Sequence, residues 1–177
     1  HFITNGDIAD LATVITVTDK TKRARGGITA FAVEKNTPGF YAGTIERKMG
    51  LRGSHTSELI FDNCRVSVKN VIGGESMVGE GFKTAMRVLD KGRLTMGACA
   101  LGSAQKLLDL CVAYAKERVQ FGKPIARFQS VQNMLADMAT EIYAARQMLY
   151  HAAWSRDQGK KVIKEASMAK LFCTEMA

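Results

Sequence analysis

The hydrophobic period of this chain changes once, near residue 78, and that change limits the folds open to it. Before it, apolar residues alternate or cluster in short β-branched runs; after it, they recur at helical spacing. Leu11-Ala12-Thr13-Val14-Ile15-Thr16-Val17-Thr18 is dense in β-branched residues. A polar loop from Asp19 to Gly27 carries Lys20, Lys22, Arg23 and Arg25, and Ile28–Glu34 follows as an alternating run. The pair predicts a hairpin with a long connection. Thr37-Pro38-Gly39-Phe40 predicts a turn, and Ser57–Phe61 and Arg65–Val68 predict two more short strands. Short strands at this spacing indicate a small antiparallel barrel or sandwich.

From Gly79 a helical pattern runs to about Glu117, interrupted by Gly92, Gly97 and Gly102. Each glycine costs a helix interior about 1 kcal/mol against alanine, so three predict close packing against another helix or a ligand. A second helix, about Gln129 to Gln158, places Val131, Met134, Leu135, Met138, Ile142, Ala145, Met148 and Leu149 at i, i+3, i+4 steps. Gly159 ends it, and a third begins near Val162 and is still running at Ala177. This reads as most of an up-down bundle. Strands first and helices afterwards give an α+β chain with a β-unit over 1–77 and a helical unit over 78–177.

Composition narrows the function classes. With 46% apolar residues and two prolines among 177, the chain is globular rather than disordered. No apolar run reaches the ~18 residues of a membrane span. The chain opens on His1-Phe2-Ile3-Thr4 without an initiator Met, which reads as the interior of a structured element and so as a piece of a longer polypeptide. Cys64, Cys99, Cys111 and Cys173 form no C-x-x-C pair and have no histidine at ligand spacing. That argues against disulfides and metal, and for a reducing compartment. The net charge of +8 favours anionic partners, phosphorylated small molecules among them.

One stretch points to a ligand. Arg118 closes the first long helix, Phe121 lies three residues on, Gly122-Lys123-Pro124 breaks the helix, and Phe128-Gln129 opens the next. A guanidinium binds diphosphate through its forked donors, and an exposed phenyl ring offers a stacking face. The cluster suits an anionic, aromatic cofactor. It equally describes a helix C-terminus with a favourable cation and a buried Phe.

Four segments in register resemble the acyl-CoA dehydrogenase family. Phe2-Ile3-Thr4-Asn5-Gly6 is similar to its W-I-T-N-G strand, and Lys48-Met49-Gly50-Leu51-Arg52-Gly53-Ser54-x-Thr56 to its K-M-G-x-R-x-S-x-T stretch. Leu89-Asp90-Lys91-Gly92-Arg93 resembles its L-D-x-x-R helix segment, and Arg118-x-x-Phe121-Gly122 with Gln129 its R-x-x-F-G…Q corner. The resemblance covers essentially the whole chain. It implies the second half of a middle β-domain, the first part of a C-terminal helical domain, and FAD-dependent α,β-dehydrogenation of an acyl-CoA thioester in fatty-acid β-oxidation. Electrons would pass to an electron-transferring flavoprotein, in a bacterial cytoplasm or a mitochondrial matrix.

The same resemblance implies roles for residues. Thr4 would hydrogen-bond near flavin N5, with Phe2 and Ile3 along the isoalloxazine edge; Phe2 stands where the family usually has Trp. Arg118, Phe121, Phe128 and Gln129 would form the corner that contacts FAD held by a neighbouring subunit, which implies a homotetramer built as a dimer of dimers. Asp90, Lys91, Gly92 and Arg93 would line the acyl-CoA, although Arg93 could instead be a surface cation paired with an acid one turn away. The basic 20–25 loop would face the nucleotide end of CoA. Met96, Leu94 and Gly97 could border the far end of the acyl site, or be plain core. One branch of the family carries its catalytic glutamate immediately before the L-D-x-x-R arginine. Gly92 occupies that place here, so the base is expected beyond Ala177 and the segment alone is expected to be inactive. Two alternatives remain: an oxidase-like relative that admits oxygen, and a DNA-associated flavoprotein of the same fold. Cations spread over several segments, rather than gathered on one face, disfavour nucleic acid.

Overall fold

The structure is a computed structural model describing residues 1–177. The chain divides into two compact units, 1–86 and 87–177.

The first unit contains five strands: β1 (Ile3–Thr4), β2 (Leu11–Val17), β3 (Ile28–Glu34), β4 (Phe40–Ile45) and β5 (Thr56–Phe61). They form two antiparallel sheets, one ordered β1-β5-β4 and one made of β2 and β3. The expected hairpin is present, with Leu11 opposite Glu34 and Val17 opposite Ile28. Its long connection is folded on itself: Asp19 Oδ1 accepts from both the backbone and the hydroxyl of Thr21, and Asp19 pairs with Lys22 at 3.1 Å. The expected turn also forms, closed by Phe40 N–H to the Thr37 carbonyl at 2.9 Å.

One expectation needs correction. Arg65–Val68 makes no strand. Arg65 to Ser67 run without ladder pairing, and the Ser67 hydroxyl accepts the Lys69 N–H at the start of a 3₁₀ turn over Val68–Asn70. Such a local side-chain-to-backbone bond competes with a ladder. Instead β4 lies beside β5, with Phe40 opposite Phe61 and their rings stacked at 4.8 Å. Its sequence hides it because Gly43 interrupts the run; the register shifts between Ala42 and Ile45, as a glycine bulge allows. Of the two forms expected, barrel or sandwich, the sheets do not take the closed barrel. They are sandwich-like, with a cleft of about 520 Å³ between Val14, Thr16, Phe31 and Val33 on one sheet and Phe61 on the other.

The centre of this unit is partly polar. Thr29 is fully buried, shares a 2.8 Å hydrogen bond with the Thr18 hydroxyl, and accepts the Gly79 N–H at 2.9 Å. A β-branched residue with one hydroxyl fits here because it fills sheet volume and satisfies a loop donor.

The second unit is helical. Helix α1 (Gly81–Glu117) enters it from the first, followed by a two-residue hairpin of β6 (Val119–Gln120) and β7 (Lys123–Pro124). Helices α2 (Gln129–Asp157) and α3 (Ile163–Met176) complete it. Its core takes Leu94, Leu101 and Ala104 from α1, Ile142, Ala145, Leu149 and Ala152 from α2, and Ala166, Ala169 and Cys173 from α3. Small residues predominate. Of the three glycines expected to pack, only Gly97 does so. A methyl there would stand 3.1 Å from Leu149 Cδ1 and 3.7 Å from Cys173 Sγ, whereas Gly92 and Gly102 face open space. Met134 also departs from the expected apolar stripe, being exposed. No helix is long and apolar enough to cross a membrane, and all four thiols are free.

Candidate functional site

The predicted site residues fall in both units. In the first, Phe2, Ile3 and Thr4 occupy the free edge of the β1-β5-β4 sheet, where Ile3 stands opposite Ser57 and Thr4 opposite Thr56. All three are exposed, Phe2 at 71%. Phe2 and Asn5, which flank the two-residue strand, both adopt φ of 58°. Left-handed backbone at non-glycine residues is uncommon and needs outside support. Part of that support is the Asn5 N–H, which donates to the His55 carbonyl at 2.9 Å. The result is an exposed ledge at the sheet edge that carries two apolar side chains and a hydroxyl.

In the second unit the Arg118–Gln129 stretch is a hairpin corner rather than a simple helix break. Phe121 and Gly122 have φ of 50° and 76°, the two left-handed positions of a tight hairpin turn; glycine takes the second without strain. The ladder pairs Val119 with Pro124 and Gln120 with Lys123, and the Ile125 N–H donates to the Arg118 carbonyl at 2.8 Å. This turn pushes Phe121 outward to 92% exposure, so the buried-Phe alternative fails. Phe128 is half-buried, meets Phe121 edge-on at 6.1 Å, and carries Lys123 Nζ over its ring at 4.5 Å. Arg118 and Gln129 are both exposed. A guanidinium, an outward ring, an ammonium and a carboxamide therefore share one corner. That donor set fits a stacked, negatively charged aromatic group. Lys123 was not singled out from sequence; its cation–π contact with a residue five positions on depends on the hairpin.

On α1, Arg93 forms an ion pair with Asp90 one turn earlier, each side chain about one-third exposed. Lys91 is exposed and Gly92 leaves open space beside them. Leu94 and Gly97 belong to the core, while Met96 is exposed on another face.

Two further groups escaped sequence reasoning. Asp7 Oδ2 lies 2.6 Å from His55 Nδ1, and that hydrogen bond, outweighing desolvation, holds the Asp7 carboxyl below its ordinary range. The pair is 48 residues apart, and no local spacing announces it. In the 19–27 loop, the Thr21 and Lys22 contacts bring Asp19 down to about 2.

Residues 1–64 match the acyl-CoA dehydrogenase middle domain and residues 79–177 the acyl-CoA dehydrogenase C-terminal domain. An acyl-CoA dehydrogenase of Bacillus subtilis is 51% identical over 176 residues, covering 99% of this chain and 45% of the relative. Butyryl-CoA dehydrogenase from Megasphaera elsdenii superposes with a TM-score of 0.88 at 46% identity, covering 99% of this chain and 45% of that one. A structure of PigA with FAD and proline superposes at 0.87 with 35% identity, with coverage of 99% and 45%. The chain thus spans about half the length of the relatives it matches.

Proposed function

The chain belongs to the acyl-CoA dehydrogenase family, and on that footing we propose that its parent protein is an FAD-dependent acyl-CoA dehydrogenase. Bound FAD supplies the two-electron acceptor for α,β-dehydrogenation of an acyl-CoA to the trans-2-enoyl-CoA. Residues 1–77 are assigned to the middle β-domain and 78–177 to the helical domain.

The observation that carries this reading is the Phe121 hairpin. An aromatic side chain at 92% exposure beside Arg118 is costly surface for a lone subunit. It is well suited to a nucleotide cofactor held by a second copy. Arg118 binds the diphosphate as a bidentate cation, Phe121 and Phe128 provide apolar contact, and Gln129 donates through its carboxamide. Thr4 offers its hydroxyl and N–H to the flavin edge, and Phe2 and Ile3 keep water from that edge. Arg93 holds Asp90 in place along the acyl-CoA, and the space left by Gly92 accommodates the thioester region. No residue in this chain is assigned as the base. The assembly is a homotetramer, the electron acceptor an electron-transferring flavoprotein, and the compartment the bacterial cytoplasm.

The full-length protein tests this directly. It should purify with visible flavin absorbance that acyl-CoA bleaches anaerobically, and reoxidation should be rapid with an electron-transferring flavoprotein and slow in air. Rapid reoxidation in air would replace the dehydrogenase with an oxidase. A colourless protein, or a flavin that no acyl-CoA reduces, would overturn the reading.

A further inference from the structure

The turn after β1 is held by one residue from two directions. His55 accepts the Asn5 N–H through its carbonyl at 2.9 Å and contacts Asp7 through its ring at 2.6 Å. An ionised carboxylate can only accept, so His55 Nδ1 carries the proton in this pair. Between the two attachments Gly6 lies so close to β5 that a methyl on it would stand 2.6 Å from Ser57 Oγ. The turn closes with Ile8 and Ala9 N–H groups on the Asn5 carbonyl at 3.1 and 2.8 Å.

This bracing serves a segment that cannot hold itself. β1 is two residues long, and left-handed residues flank it on both sides. Asp7 is well shielded at 12% side-chain exposure, its other oxygen is buried without a partner, and Lys35 lends it positive potential. A carboxylate is retained in so enclosed a place only when paired, and its partner here is His55. In the stretches that resemble the family, His55 occupies the unspecified position between Ser54 and Thr56, and Asp7 lies just beyond Gly6. The resemblance therefore assigns neither a role.

We propose that Asp7 and His55 are positioning residues that fix the Phe2-Ile3-Thr4 ledge, and through it the hydroxyl and N–H of Thr4, against the flavin. This inference rests on the FAD reading above. The pair touches no cofactor itself; it sets where Thr4 stands.

The experiment uses the full-length protein with Asp7→Ala, His55→Leu and His55→Asn, the last placing an amide N–H near the position of Nδ1–H. Three quantities are read: FAD affinity of the apoprotein, midpoint potential of the bound flavin, and hydrogen exchange at the Asn5 amide. Asp7→Ala and His55→Leu should weaken FAD binding about tenfold, the lower end of what loss of an outer-shell hydrogen-bond partner costs a metal site. They should also shift the potential and speed Asn5 exchange, with His55→Asn restoring all three. Wild-type affinity and potential in the first two variants overturn the inference alone, as does equal loss in all three with a matching fall in melting temperature. A wild-type protein that binds no FAD overturns the proposed function and this inference with it.

Discussion

Lys123 Nζ stands 4.5 Å above the ring of Phe128 while Phe121 meets the same ring edge-on at 6.1 Å. One half-buried ring thus anchors a hairpin whose own aromatic residue faces outward. The two phenylalanines should separate stability from binding. Phe128→Ala should cost about 1–3 kcal/mol in urea unfolding, as removal of a partly buried aromatic does. Phe121→Ala should stay within about 0.5 kcal/mol, as exposed substitutions do, yet release FAD from the assembled protein, measured by flavin absorbance after gel filtration.

The α1 glycines should respond in opposite directions. A side chain at Gly97 meets Leu149 and Cys173, so Gly97→Val should destabilise by about 1–3 kcal/mol through overpacking. Gly102 faces open space, so Gly102→Ala should stabilise by up to about 1 kcal/mol from helix propensity alone. Urea midpoints of the two variants provide the check.

Thr29 joins β3 to the segment that leads into α1. Thr29→Val keeps its shape but leaves the buried Gly79 N–H without an acceptor and removes the partner of Thr18. The expected loss is about 1–3 kcal/mol, read from denaturant unfolding, and Thr29→Ser should recover part of it.

The 19–27 loop should show its order in acid. Asp19 is brought from 3.8 to about 2 by Thr21 and Lys22. A depressed folded pKa means a contribution present above the unfolded value and lost as pH falls through the folded one. The loop should therefore keep its Asp19 contacts at pH 4 and lose them near pH 2. Carboxyl NMR titration should place the Asp19 midpoint near 2, and Thr21→Ala should move it up towards 3.8.

Thiol chemistry should follow burial. Cys173 is enclosed by the α1–α2–α3 core and desolvation pushes its pKa up, whereas Cys99 and Cys111 are exposed on α1. Iodoacetamide under native conditions should label Cys99 and Cys111 and spare Cys173 until the chain is unfolded, as peptide mass spectrometry would show.

Much of this protein was legible where the signal is local. The β2–β3 hairpin, the Thr37–Phe40 turn and the three helices follow from residue period and turn chemistry. The exposed ring of the corner was legible as a possibility, and the left-handed Phe121-Gly122 turn settled it. Gly43 weakens the strand pattern of β4, and Arg65–Val68 has the pattern of a strand although Ser67 turns its hydroxyl to a cap.

Residue order alone determined the α+β division and the family, since both depend on period and on motifs spaced along the chain. Only tertiary structure decided that Gly97 packs while Gly92 and Gly102 do not, that Arg93 pairs with Asp90, and that His55 reaches Asp7. The reason is physical: period and propensity act within a few residues, whereas a partner 48 positions away is chosen by strand register and by what the surrounding packing leaves open.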